Sequence, residues 1–81
     1  MREFESRNNF LTALSCKIIV NNLPFLHSLD LRGNRIGDSG IETVAKGFPQ
    51  LKNLLVSETG ITDKGGRCIA DYMDGLELVW A

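Results

Sequence analysis

Leu26 to Gln50 reads LHSLDLRGNRIGDSGIETVAKGFPQ, and the next 25 residues, Leu51 to Gly75, read LKNLLVSETGITDKGGRCIADYMDG. Laid one under the other they agree in type at spaced positions. Leu26 falls on Leu51, Leu29 on Leu54, Leu31 on Val56 and Ile36 on Ile61. Asp38 falls on Asp63, Gly40 on Gly65, Val44 on Ile69, Ala45 on Ala70 and Phe48 on Met73. Leu51 itself falls on Leu76. The same shift taken backwards gives a weaker copy: Leu29 on Phe4, Asn34 on Asn9, Ile36 on Leu11, Val44 on Ile19 and Phe48 on Leu23. Three units follow, 1–25, 26–50 and 51–75, with a six-residue strand stub at 76–81. A fixed period of this size is the mark of stacked repeats, each burying its apolar face on the next.

Within a unit the pattern changes once. Leu29-Asp30-Leu31 and Leu54-Leu55-Val56 carry the period of two that predicts a strand of about three residues with one buried side. Gly33-Asn34 and Thr59-Gly60 then predict turns. After the turn, Ile41, Val44, Ala45 and Phe48 stand at helical spacing, as do Ile69, Ala70 and Met73, and Cys16, Ile19, Val20 and Leu23. Thr12 and Thr62 are placed to cap the helices that follow them. Gly37 holds that slot in the middle unit, beside an Asp38 that suits the positive end of its own helix. Gly47 and Pro49 stop the middle helix, and Pro24 follows the first. The expected fold is α/β, an open right-handed solenoid of about three strand–turn–helix units in a single 1–81 domain with a short parallel sheet.

The spacing LxxLxLxxNxIxxxGxxxVAxxF from Leu26 to Phe48 resembles the leucine-rich repeat. Ile36 to Gly40 and Ile61 to Gly65 resemble its ribonuclease-inhibitor-like and cysteine-containing subtypes, which carry a helix on the convex side. The resemblance implies that Asn9 and Asn34 are ladder asparagines, bonding turn backbone in their own and the adjacent coil. Thr59 stands where the third ladder asparagine belongs. The family binds many kinds of partner, so the resemblance specifies fold more sharply than function.

Bulk properties narrow the function classes. A net charge of −1 over 81 residues offers no basic surplus for nucleic acid. The longest apolar runs, such as Ile18 to Val20, are too short for membrane insertion, and Met1 to Glu5 lacks the apolar core of a signal peptide. Cys16 and Cys68, 52 positions apart and off the repeat register, read as reduced thiols of an intracellular, cytoplasmic protein. Two cysteines and His27, the only histidine, cannot furnish four zinc ligands. Cys16 aligns with buried Ile41, which favours an inert core thiol over a Cys–His nucleophile, and His27 is expected at the surface or rim. Gly60 to Arg67 echoes a phosphate loop but lacks the Lys-Ser/Thr pair after its second glycine. Gly65 there repeats Gly40, so close packing at a helix start accounts for it; the lesser alternative is a weak anion site with Lys64 and Arg67. No catalytic set, metal site or cofactor site is expected.

The outward strand residues form three columns by register: Glu3, Ser28, Asn53, Leu78; Glu5, Asp30, Leu55, Trp80; and Arg7, Arg32, Ser57. Neighbouring strands lie about 4.8 Å apart, so members of a column touch. The charged end is expected to be a solvated face in which Arg7 and Arg32 offset Glu5 and Asp30. Leu55, Leu78 and Trp80 are apolar where polar residues belong, and form either a contact patch for a protein partner or, through Trp80, a makeshift cap on the open end. The partner-contact set is Leu55, Leu78, Trp80, Asp30, Arg32 and Asn53. Neither end carries a recognisable capping unit, so an excerpt of a longer protein or a subunit covered by its neighbours is expected. The expected function is non-catalytic protein–protein interaction through the concave sheet or the open ends. The alternatives are a substrate-adaptor fragment of a ubiquitin ligase, which the cysteine-containing subtype implies, and a regulatory repeat segment of an enzyme.

Overall fold

Alternation over only three residues makes very short strands, and the chain folds accordingly. The computed structural model describes residues 2–23 and 25–80, the last three by backbone alone. The elements are β1 (Glu3–Glu5), α1 (Ala13–Asn22), β2 (Ser28–Asp30), α2 (Gly37–Gly47), β3 (Asn53–Leu55), α3 (Asp63–Tyr72) and β4 (Leu78–Trp80). The strands begin one residue before the expected positions. Their ladder nevertheless runs on past them, with Leu31 N–H donating to Leu55 O at 2.9 Å. The four strands lie parallel in the order β1-β2-β3-β4. Helix α1 packs on α2 and α2 on α3, so among the described residues each helix meets only its neighbours in sequence. The expected role of Pro24 in ending the first helix lies outside the described residues.

The register between coils is 25 throughout. Phe4 pairs with Leu29, Leu29 with Leu54, and Leu54 with Val79. Bonds outside the strands keep the same step. Asn8 N–H donates to Arg32 O at 2.9 Å and Gly33 N–H to Ser57 O at 3.1 Å. His27 and Ser28 N–H both donate to Arg2 O, as Lys52 and Asn53 N–H both donate to His27 O. Each coil also makes the same turn in the left-handed region, at Asn8 (φ 54), Gly33 (φ 77) and Glu58 (φ 57). Gly33 has a second reason to lack a side chain: a Cβ there would meet Asn8 Oδ1 at 2.0 Å.

The core lies between sheet and helices. Leu29, Leu31, Leu54 and Val56 are fully buried from the sheet side and Ile41, Val44 and Ala45 from α2, with Phe48 buried just after that helix. Burying one such leucine contributes about 2 kcal/mol. The end coils bury less of the same pattern. Val20 and Leu23 are half-buried, and Ala70 is exposed although its register mate Ala45 is not. The difference is positional: α2 has a helix on each side, whereas among the described residues α1 and α3 have one.

Candidate functional site

The face of the sheet opposite the core carries the expected columns in the expected register. Glu3 pairs with Ser28, Ser28 with Asn53 and Asn53 with Leu78. Glu5 pairs with Asp30, Asp30 with Leu55 and Leu55 with Trp80. Asn53 and Leu55 are half-buried on this face. The side chains of Leu78 and Trp80, on which the apolar patch was to rest, lie outside the described residues.

The middle of the face is more tightly organised than a solvated set of charges. Asp30 is only 5% exposed. Arg32 reaches it as a fork, Nε to Oδ1 at 2.9 Å and Nη2 to Oδ2 at 2.7 Å, and Arg32 N–H adds a third bond at 3.2 Å. Two parallel bonds between planar groups are stronger than a point contact. These bonds hold the Asp30 carboxyl below the usual aspartate range, against the opposing effect of burial. Arg7, one coil earlier, lowers it further through its charge.

The turns between strand and helix contain the ladder. Asn34 is fully buried. Its Oδ1 accepts from Leu11 N–H at 3.2 Å, and its Nδ2 donates to Leu31 O at 3.0 Å and to Ser6 O. The side chain thus joins its own turn to the preceding coil, as the resemblance implied. Among the described residues the Asn9 side chain bonds only Ser6 Oγ, at 2.8 Å, on the exposed side. Thr59 keeps half the function: its hydroxyl donates to Val56 O at 2.5 Å, and it is too short to reach the coil before.

The helix N-termini depart from expectation. Thr12 caps α1, and its own N–H donates to Ser15 Oγ at 3.1 Å. Gly37 was expected as the cap of α2, but the cap position falls on Ile36 and no side chain serves it. With no side-chain oxygen, Gly37 instead takes φ 64 and donates its N–H to Thr59 O at 2.9 Å. Asp38 stands in the first turn of α2, as expected for the positive end of that helix. Its carboxylate accepts hydrogen bonds from the next coil, from Thr62 N–H at 2.8 Å, the Thr62 hydroxyl at 2.6 Å and Gly65 N–H at 3.0 Å, all at the start of α3. The bond from the Thr62 hydroxyl is the chief reason its carboxyl sits below the ordinary range. Thr62 also accepts from Lys64 N–H at 3.3 Å. Thr62 and Gly65, placed by sequence in an echo of a phosphate loop, are filled by a carboxylate of the coil before.

The repeating ladder, the 25-residue register and the alternation of strand and helix agree with a match to a family model, described as Leucine Rich repeat, over residues 22–45 and 51–70. Those segments cover more than half of the chain. The chain belongs to the leucine-rich repeat family. A comparison with curated proteins returned no match. Residues 1–21 of the first coil lie outside the matched segments, in keeping with its weaker copy of the pattern.

Other groups weighed for chemistry fall apart from one another. Cys16 is fully buried at the position of Ile41, and burial pushes its thiol up to about 11. Cys68 is half-buried on α3. His27 is exposed beside Phe25, Pro49 and Gln50. Among the described residues no three His, Cys, Asp or Glu side chains converge as metal ligands, and no helix is long and apolar enough to cross a membrane. One surface went unnoticed in the sequence of this leucine-rich repeat protein. Phe10 is 98% exposed, Leu14 of α1 is exposed, and exposed Ile18 lines a hollow with Phe4, Leu11, Ile19 and Leu23. Leu14 and Ile18 stand four apart, outside the core stripe, and that spacing was the available signal.

Proposed function

We propose that this chain is a non-catalytic protein-binding module, a leucine-rich repeat solenoid of the helix-bearing, ribonuclease-inhibitor-like kind that receives a partner on its concave sheet. Leucine-rich repeats serve as extended binding surfaces because stacked coils hold a sheet face open and rigid. The observation that carries the proposal is the mixed character of that face. Asn53 and Leu55 are half-buried, and Leu55 pairs across the sheet with Asp30, which holds Arg32 in its fork. Leu78 and Trp80 continue their columns by register. A preorganised arginine next to apolar side chains is the composition of contact centres in protein interfaces.

Affinity capture with the wild-type chain and two variants tests it. Leu55→Glu places a charge on the proposed contact; Thr43→Glu places one on the outer side of α2. The expected result is a defined protein held by wild type and Thr43→Glu and lost with Leu55→Glu, all three folding alike by circular dichroism. Equal capture by both variants would remove the sheet face from the account.

A further inference from the structure

We propose that the outward face of α1, with Phe10 just ahead of that helix, is the surface through which two copies of this chain pair. Phe10 is 98%, Leu14 67% and Ile18 56% exposed. The ten residues of α1 carry one charge, that of Lys17.

The stacking of coils does not account for this face. The same register positions hold Arg35, Ser39 and Thr43 in the second coil, and Gly60, Lys64 and Cys68 in the third. Each of those coils has another packed before it. Even so, Arg35, Ser39, Gly60 and Lys64 are exposed, and Thr43 and Cys68 only half-buried. A coil placed ahead of the first would therefore leave Phe10 and Leu14 in water. Positions that are small or polar in the second and third coils are large and apolar in the first.

A second copy fits the patch by size and by charge. Phe10 alone offers about 200 Å² of surface. With Leu14 and Ile18 the patch falls within the roughly 300–600 Å² of the largest apolar patch on an ordinary monomer. Ile18 also lines the hollow beside Phe4 and Leu11, which extends the contact. Two such surfaces face to face approach the roughly 1,200 Å² at the lower end of specific interfaces. Leu14 and Ile18 lie one turn apart, about 6 Å along the helix. Pairing about a twofold axis perpendicular to α1 therefore sets Leu14 of each copy beside Ile18 of the other. One Lys17 per helix leaves little like-charge repulsion at the centre. Arg35, which lines a depression with Phe10, adds to a cationic rim.

Sedimentation equilibrium of the 81-residue chain from about 1 μM to about 1 mM tests the pairing. The expected result is a mass that rises from one chain to two, with half-association near about 0.1 mM, as suits a small interface. Leu14→Lys adds a cation to the contact, and Leu14→Ser only removes apolar surface. Each should weaken association at least about tenfold, with circular dichroism like that of wild type. Lys64→Ser, at the same register position on α3, should leave association unchanged. Sodium chloride should strengthen it by screening Lys17 and Arg35. A chain that stays monomeric at every concentration overturns the proposal. So does association that both Leu14 variants leave intact, or that salt abolishes.

Discussion

Asn34 shows at single-residue scale what holds one coil to the next. A fully buried amide that satisfies Leu11 N–H, Leu31 O and Ser6 O leaves several buried groups without partners when it is removed. Asn34→Ala should cost about 3 kcal/mol, and Asn9→Ala, whose one side-chain bond is exposed, less than about 0.5 kcal/mol. Urea midpoints of the two variants against wild type measure the contrast; equal costs would refute the assignment of roles. The sequence made Asn34 and Asn9 look alike because both fall on the same register position. They differ because the side chain works backwards, and among the described residues only Asn34 has a coil behind it. Asp30 and Arg32 were likewise legible as a charged pair, but not as a fork. Residues two apart on a strand share a face, and the sequence says nothing of whether their side chains align.

At the scale of elements, the three helices begin in three ways: a self-contained Thr12–Ser15 start, a start with no side-chain cap, and a start capped by the helix before it. Spacing alone places Asp38 in the first turn of α2, where its natural service is to that helix. The coil stacking turns its carboxylate to α3 instead, and the absence of a carboxylate at Ala13 coincides with the absence of a threonine at Gly37. Donors from Thr62 hold the Asp38 carboxyl below its ordinary range. The unfolded chain therefore takes up the proton first. The cap's contribution is whole above the unfolded value and is lost as pH falls through the lower folded value, below about pH 4. Amide exchange at the start of α3 should quicken between pH 5 and pH 3 relative to α1, after correction for intrinsic rates, and Asp38→Ala should remove that pH dependence while quickening exchange at both. An α3 whose protection ignores Asp38→Ala would show the contact to be passive.

At the scale of the whole molecule, two leucine-lined units and their weaker forerunner were plain in the sequence, because the interior of a stacked fold repeats wherever the coil repeats. Leu29, Leu31, Leu54 and Val56 were placed inside by alternation and are fully buried. What the period could not carry was the character of the outer coils. Phe10, Leu14 and Ile18 have no counterpart in the units that match best, so alignment hid their exposed surface. The proposed binding face depends on one arrangement: positions 25 apart lie side by side in successive coils. Side-chain nuclear Overhauser effects, methyl-to-methyl and ring-to-methyl, measure it directly. Leu29 and Leu54, paired across β2 and β3, should give a strong cross-peak, and Phe4 should reach Leu29 but not Leu54. Absence of the Leu29–Leu54 cross-peak, with both side chains open to a soluble paramagnetic probe, would contradict the account.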